Sequence, residues 1–183
     1  MTETTLNIAE NRRAQKWTRL ELLGRLLWEI CERPLFRWTP RQLWVWRRFV
    51  LRAFGAKIGS KVQIHPTARI AIPWNLKVDD ASSIGDCAIV YNLGPIEIGP
   101  SVTVSQNSHL CAGSHDYSKP EMPLLKAKIV LAADVWICAD AFVGPGVSIG
   151  TRSIVAARAV VVKTVGAGLI VGGHPAVEIG KRL

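Results

Sequence analysis

From Leu131 onward, aliphatic residues return every six positions without a break: Leu131, Ile137, Val143, Ile149, Val155 and Val161. The same step runs upstream through Ile58, Ile64 and Ile70. After two extra residues it resumes at Val78, Ile84 and Val90, and after two more at Ile98, Val104 and Leu110. Four residues after each of these fifteen positions the side chain is Val, Ala, Ser or Gly in fourteen instances, with Trp74 the exception. Neither an α-helix nor a flat strand has a period of six. A chain that turns a corner every six residues does. Three sides then close one triangular coil, with the aliphatic residue pointing inward and the small residue fitting the corner. Fifteen sides predict about five coils. Stacked at the interstrand spacing of about 4.8 Å, they make a prism about 24 Å tall. A single coil buries little, so stacking supplies the stability. The competing reading is a β-sandwich of short strands, but period-two alternation is poor here.

The prism does not account for the whole chain. Residues 1–55 hold eleven Lys/Arg, five of the seven tryptophans and only two of the fifteen glycines, whereas 56–183 are rich in Gly, Val and Ile. The sequence therefore divides into an N-terminal basic, aromatic helical segment (1–55) and an all-β domain with a C-terminal tail (56–183). In the first, Trp17, Leu20, Leu23, Leu27 and Ile30 fall on one helical face. A second helix over 41–54 sets Leu43, Trp46, Val50 and Ala53 opposite Arg41, Arg48 and Arg52. One reading packs these helices as a cap with solvated arginines, since amphipathic helices usually face a core. The other lays 17–54 peripherally on an acidic membrane surface, with tryptophan at headgroup level.

With 49% hydrophobic and 20% charged residues, a disordered chain is excluded. Twenty-three basic against fourteen acidic residues give a net charge of +9, which suits an anionic partner. No nucleic-acid module is visible, and none is expected as partner. Cys31, Cys87, Cys111 and Cys138 have no zinc-ligand or disulfide-framework spacing. They read as free thiols in a reducing compartment. No secretory signal and no run of eighteen apolar residues is read, so the expected location is cytoplasmic, with the inner membrane face as the peripheral variant.

The strings IGPSVTV (98–104), VGPGVS (143–148) and IGTRSI (149–154) resemble the hexapeptide repeats of left-handed β-helix acyltransferases. More narrowly, RRFVLRAFGAKIG (47–59), PWNLKV (73–78), YNLGPIEIG (91–99) and LCAGSHDYSKPEMPL (110–124) are similar to colanic-acid-type exopolysaccharide acetyltransferases. The resemblance covers roughly residues 34–180. It implies a left-handed winding, a homotrimer with active sites between subunits, and transfer of acetyl from acetyl-CoA to a sugar hydroxyl, with no metal.

Such chemistry needs a base to take the hydroxyl proton during attack, and imidazole suits it. Of His65, His109, His115 and His174, His115 is the candidate. It opens the only long break in the repeat, 116–130, and long excursions in compact domains are usually functional. The resemblance places the family's general base at this GSHDY histidine, facing a neighbour's coil near Trp136. Asp116 and Tyr117, in the same string, are acceptor candidates. Asn92 of YNLG lies one coil earlier on the same side; it is either an acceptor contact or a ladder asparagine. Trp136 projects from a corner. The resemblance puts it near the thioester, and the alternative is an aromatic packed under the loop. Ala139, Ala157 and Lys163 match coenzyme-contacting positions, and Lys181 and Arg182 sit where basic residues meet phosphate. His174 stands where the family's closing motif has asparagine. Cys111 and Cys138 lack a neighbouring base, which favours direct transfer in a ternary complex over an acetyl-cysteine. Other readings remain open: acetylation of a nucleotide-aminosugar or antibiotic, a zinc enzyme similar to γ-class carbonic anhydrases, and a scaffold without turnover.

Overall fold

The computed structural model describes residues 6–182; residues 1–5 of the N-terminal segment and Leu183 of the tail lie outside it. From Lys57 the chain winds as a triangular parallel β-solenoid. Its first face stacks Lys57–Ile58, Leu76–Val78, Ile96–Ile98, Ile129–Leu131 and Ser148–Ile149. The second stacks Gln63–Ile64, Ser83–Ile84, Thr103–Val104, Trp136–Ile137, Ile154–Val155 and Leu169–Gly173. The third stacks Arg69–Ile70, Ile89–Tyr91, His109–Cys111, Phe142–Val143 and Val160–Val161.

The aliphatic repeat is the register of this stack. Ile58 pairs with Val78, Val78 with Ile98, Ile98 with Leu131, and Leu131 with Ile149. All fifteen repeat residues are at most 7% exposed. They form one continuous apolar column, so each coil contributes only together with its neighbours. There are about six turns rather than five. Val165 bridges to Ile149, and Leu169–Gly173 pairs with Ile154–Val155, so the segment read as a tail begins a further coil. Ala176–Lys181 then folds back antiparallel on Leu169–Gly173. Periodicity missed this turn because the step from Val161 to Val165 is four residues instead of six; the six-residue step then resumes from Val165 to Val171.

The corners explain the six-residue step. Three residues after the aliphatic position, Lys61, Ala81, Ser101, Asp134 and Arg152 on one edge, and Cys87, Asn107, Asp140 and Arg158 on the next, have φ between 54° and 61°. One left-handed residue bends the chain, and the small residue after it is buried at the inside of the bend. The third edge departs from this rule, because the extra residues of the repeat all fall there. Trp74 sits in a short 3-10 turn, Pro73–Asn75, and packs outward on Gly24 rather than filling a corner.

Below the first coil lie α1 (Ile8–Arg13), α2 (Arg19–Cys31) and α3 (Trp44–Ala53), with a π-helical turn at Glu32–Arg37. Along the faces each coil donates its N–H groups to the coil above, as Gly59 N does to Val78 O at 2.7 Å, while corner amides such as Ala81 N to Ser60 O run the other way. The first coil therefore presents downward carbonyls that no strand can pair. The helices satisfy them: Arg52 Nε donates to Ile58 O (2.9 Å), Arg48 Nη1 to Val62 O (2.9 Å), Arg47 Nε to Ile64 O (2.7 Å) and Trp28 Nε1 to Ile70 O (2.8 Å). Of the arginines expected to be solvated, Arg41 and Arg52 are exposed and Arg48 is half-buried, but Arg48 and Arg52 also bind the sheet edge, and their neighbour Arg47 is wholly buried. The expected apolar face of α2 is corrected too. Trp28 alone on α2 is buried, while Leu20, Leu23, Leu27 and Ile30 face outward, Leu20 at 81% exposure.

Candidate functional site

The excursion starts earlier than the sequence indicates. Gly113–His115 pairs antiparallel with Leu124–Lys126, so a hairpin over 113–126 projects from the third edge of the third coil, and the chain rejoins the first face at Ile129. Gly113 keeps its base tightly packed, since a larger residue would force the Leu93 side chain to shift. A Cβ there would lie 2.9 Å from Leu93 Cδ1 and 3.2 Å from the Tyr91 ring.

His115 stands at the end of the first hairpin strand, exposed to solvent. Its Nδ1 is 2.6 Å from the Met122 carbonyl across the hairpin. A carbonyl only accepts, so Nδ1 carries the proton and the neutral ring keeps its lone pair on Nε2. The hairpin thus holds an oriented imidazole at an exposed position. Asp116 does not orient it: the Asp116 carboxylate accepts from Ser118 N (3.1 Å) and Ser118 Oγ, and these bonds hold it below the usual carboxylate range. Tyr117 is 88% exposed at the hairpin tip.

A further support comes from a residue that sequence reasoning passed over. The half-clamped Met122 carbonyl also accepts from Asn11 Nδ2, which donates to Glu121 O at 2.6 Å as well. Asn11 is buried, and its Oδ1 accepts from Lys16 Nζ at 2.6 Å. Asn7 N donates to Pro120 O, Lys126 Nζ donates to Lys16 O, and the same ammonium lies 3.6 Å over the Trp17 ring. The N-terminal segment therefore clasps the hairpin that carries His115. The only sequence signal was an asparagine inside a polar stretch.

The other singled-out residues fall into two groups. Asn92 is wholly buried; its Oδ1 accepts from Ile72 N (2.9 Å) and its Nδ2 donates to Ile72 O. This is the ladder arrangement, and it offers no exposed amide to an acceptor. Trp136 lies on a strand of the second face, not at a corner as expected, because it directly precedes inward-pointing Ile137. It is 45% exposed and donates from Nε1 to Ser105 Oγ at 2.9 Å. Ala139 and Ala157 stack on consecutive coils of the edge after the second face, joined by Arg158 N to Ala139 O at 3.0 Å. With no bulky side chain at either, a long substrate arm can lie against this edge. Exposed Lys163 is on the third edge above the hairpin, and Lys181 and Arg182 are exposed at the top, with Arg182 Nη1 donating to Asp134 O at 2.7 Å. Within one chain, then, His115 and the Ala139–Ala157 floor lie on different edges.

The remaining histidines do not converge. His65 Nδ1 is bonded to Thr67 Oγ1 (2.8 Å), and His174 is exposed beside Pro175. His109 stands edge-on between Tyr91 and Phe142, its Nε2 buried without a partner among the described residues, and burial lowers its pKa. No group of three or more His, Cys, Asp or Glu able to hold a metal occurs among the described residues. Burial pushes the Cys138 thiol up, the wrong direction for a nucleophile.

A left-handed hexapeptide solenoid with a histidine-bearing hairpin on one edge and a small-residue floor on another defines a class of acetyl-transferring proteins. The sequence comparison specifies it: the chain is 41% identical over 157 residues, 86% of each chain, to the colanic acid biosynthesis acetyltransferase WcaF of Escherichia coli. It belongs to the hexapeptide-repeat acetyltransferase family. No protein-family model matches the chain. Among solved structures it is similar to a hexapeptide-repeat acetyltransferase of Vibrio cholerae complexed with acetyl coenzyme A (TM-score 0.83, 22% identity, 92% of each chain). It is also similar to a maltose O-acetyltransferase of Clostridium difficile (TM-score 0.75, 22% identity, 91% of this chain and 90% of that one). At these identities the structures attest the shared fold.

Proposed function

We propose that the protein transfers acetyl from acetyl-CoA to a sugar hydroxyl during cell-surface polysaccharide synthesis, with His115 as general base. The observation that carries this reading is the Nδ1 contact to the Met122 carbonyl, which leaves Nε2 free at the exposed end of a rigid hairpin. His115 Nε2 takes the hydroxyl proton as the sugar oxygen bonds to the thioester carbonyl carbon. The carbon–sulfur bond then breaks, the proton passes to the departing thiolate, and the products are an acetyl ester and free coenzyme A. No covalent enzyme intermediate is needed, in keeping with the raised Cys138 thiol. Ala139 and Ala157 form the floor for the pantetheine arm, Trp136 flanks it, and Lys163, Lys181 and Arg182 meet its phosphates. The acceptor's identity as a polysaccharide sugar rests on the relative's printed role.

Because His115 and that floor lie on different edges, a complete site requires two copies, and the homotrimer is the assembly we infer. The outward leucines of α2 beside Arg19, Arg25 and Arg33 support peripheral attachment to an anionic cytoplasmic leaflet. No helix among the described residues is long and apolar enough to cross a membrane. The test is thiol release from acetyl-CoA across a panel of sugar acceptors. His115→Ala is expected to lower kcat by about 10²–10⁴, the range for a lost general base. Unchanged turnover in that variant refutes the assignment.

A further inference from the structure

Beneath the hairpin, between the π-helical turn and the lower third face, lies a cavity of about 780 Å³ whose wall includes Glu32, Arg33, Arg37, Trp38, Arg69 and Tyr91. Three guanidiniums face it against one carboxylate. Arg33 and Arg69 are exposed, and Arg37 makes only a long 3.9 Å contact to Glu32. All three arginines act on Glu32 electrostatically, so their charges converge on one space, while burial pushes its carboxyl up. This differs from the arginines of α3, which are consumed by the sheet edge. Nothing in the fold accounts for these three.

The cavity borders the base of the hairpin. Tyr91 lines it, and the same ring lies against Gly113, the first residue of the strand that ends at His115. Tyr91 therefore borders both the arginines' cavity and the strand that carries His115.

We infer that this cavity binds the phosphate or diphosphate group of an activated sugar acceptor, placing the sugar hydroxyl toward His115. Several planar forks converging on one site match a phosphate's tetrahedral oxygens better than a neutral sugar, and they exceed what one carboxylate needs. Trp38, 76% exposed at the rim, offers a flat face for a sugar ring or an apolar chain. The inference deepens the acetyl-transfer reading and rests on it for the direction of the sugar. The diphosphate could come from a nucleotide sugar or from a lipid-linked sugar, which share this chemistry.

The experiment uses the full chain and has two arms. In the first, binding of inorganic pyrophosphate is measured by titration calorimetry for the wild type, Arg69→Gln and the Arg33→Gln/Arg37→Gln pair. Affinity is expected to fall at least tenfold in both variants; equal affinity in all three overturns the inference. In the second, thiol release is compared for glucose, glucose 1-phosphate, UDP-glucose, a short-chain polyprenyl-diphosphate glucose, and glucuronate. The phosphorylated acceptors are expected to exceed glucose at least tenfold in kcat/KM, and Arg69→Gln to erase that preference. The best phosphorylated acceptor identifies the source. Glucose or glucuronate equalling the phosphorylated sugars overturns the inference while leaving acetyl transfer intact. Arginine-dependent pyrophosphate binding with no acceptor acetylated overturns the acetyl-transfer reading while leaving the cavity's ligand in place.

Discussion

Arg47→Met isolates the interaction that closes the lower end of the solenoid. The Arg47 guanidinium is fully buried with no carboxylate partner; it donates to Ile64 O (2.7 Å), Thr39 Oγ1 (2.8 Å), Pro40 O (2.8 Å) and Arg41 O, and it lies 4.7 Å from the Trp44 ring. Burial lowers its pKa, the mark of a cation held away from water. The bond to Ile64 is charge-assisted and buried, contributing about 1.5–3 kcal/mol net, and the three partly wet acceptors add about 0.5–1 kcal/mol each. Methionine fills much of the stem volume but donates nothing, so the loss should be about 3–6 kcal/mol. Arg52→Met is the control: its contacts to Ile58 and Gly59 lie nearer solvent, and water can replace them for about 1 kcal/mol. The assay is urea unfolding of the full chain followed by tryptophan fluorescence, at one fixed protein concentration. If Arg47→Met matches the wild type or is more stable, desolvation of the cation outweighs its hydrogen bonds and the capping argument fails.

Three other outcomes follow. Asn11→Ala should lower kcat about fivefold, the equivalent of about 1 kcal/mol, with KM for acetyl-CoA unchanged, since it removes one donor from the carbonyl that holds His115; a shift in KM alone speaks against the positioning role. Gly150→Ala should destabilise by about 1–3 kcal/mol and speed hydrogen exchange over 165–173, because a Cβ would lie 2.5 Å from Ala167 N, a backbone atom that cannot rotate away. His109 binds protons less readily folded than unfolded, so its contribution is complete above the ordinary histidine pKa of about 6.5 and fades as pH falls toward its depressed folded value. His109→Phe should therefore flatten the stability–pH curve in that acid window, as read by thermal unfolding, and an unaltered slope places the effect elsewhere.

The solenoid was legible because its information is local and repeated: an aliphatic residue, a left-handed corner and a small residue recur within six positions. The excursion that carries His115 was legible because the repeat breaks there. What stayed hidden depends on long-range pairing. Asn11 meets Met122 from 111 residues away, and no local pattern announces it. Arg47 was not singled out by sequence because a buried cation defies the apolar-face rule, yet the sheet-edge carbonyl of Ile64 and three acceptors at Thr39, Pro40 and Arg41 satisfy it. The leucines of α2 read as core because the helix is amphipathic; its moment does not say which side the protein occupies. Asn92 was undecided by sequence, since a ladder amide and a ligand amide have the same neighbours until Ile72 is seen beside it.

A ladder whose strand donors point one way has two unlike ends, and here the fold-back of Ala176–Lys181 covers part of the upper one. Strip away α2 and α3 and the lower end bares a row of acceptors with no donor of its own chain to meet them. The aromatic, arginine-rich leader is thus a molecular stopper. A chain lacking it should be prone to self-association through that bared row, so the segment that looked like an appendage doubles as a guard on an open sheet edge.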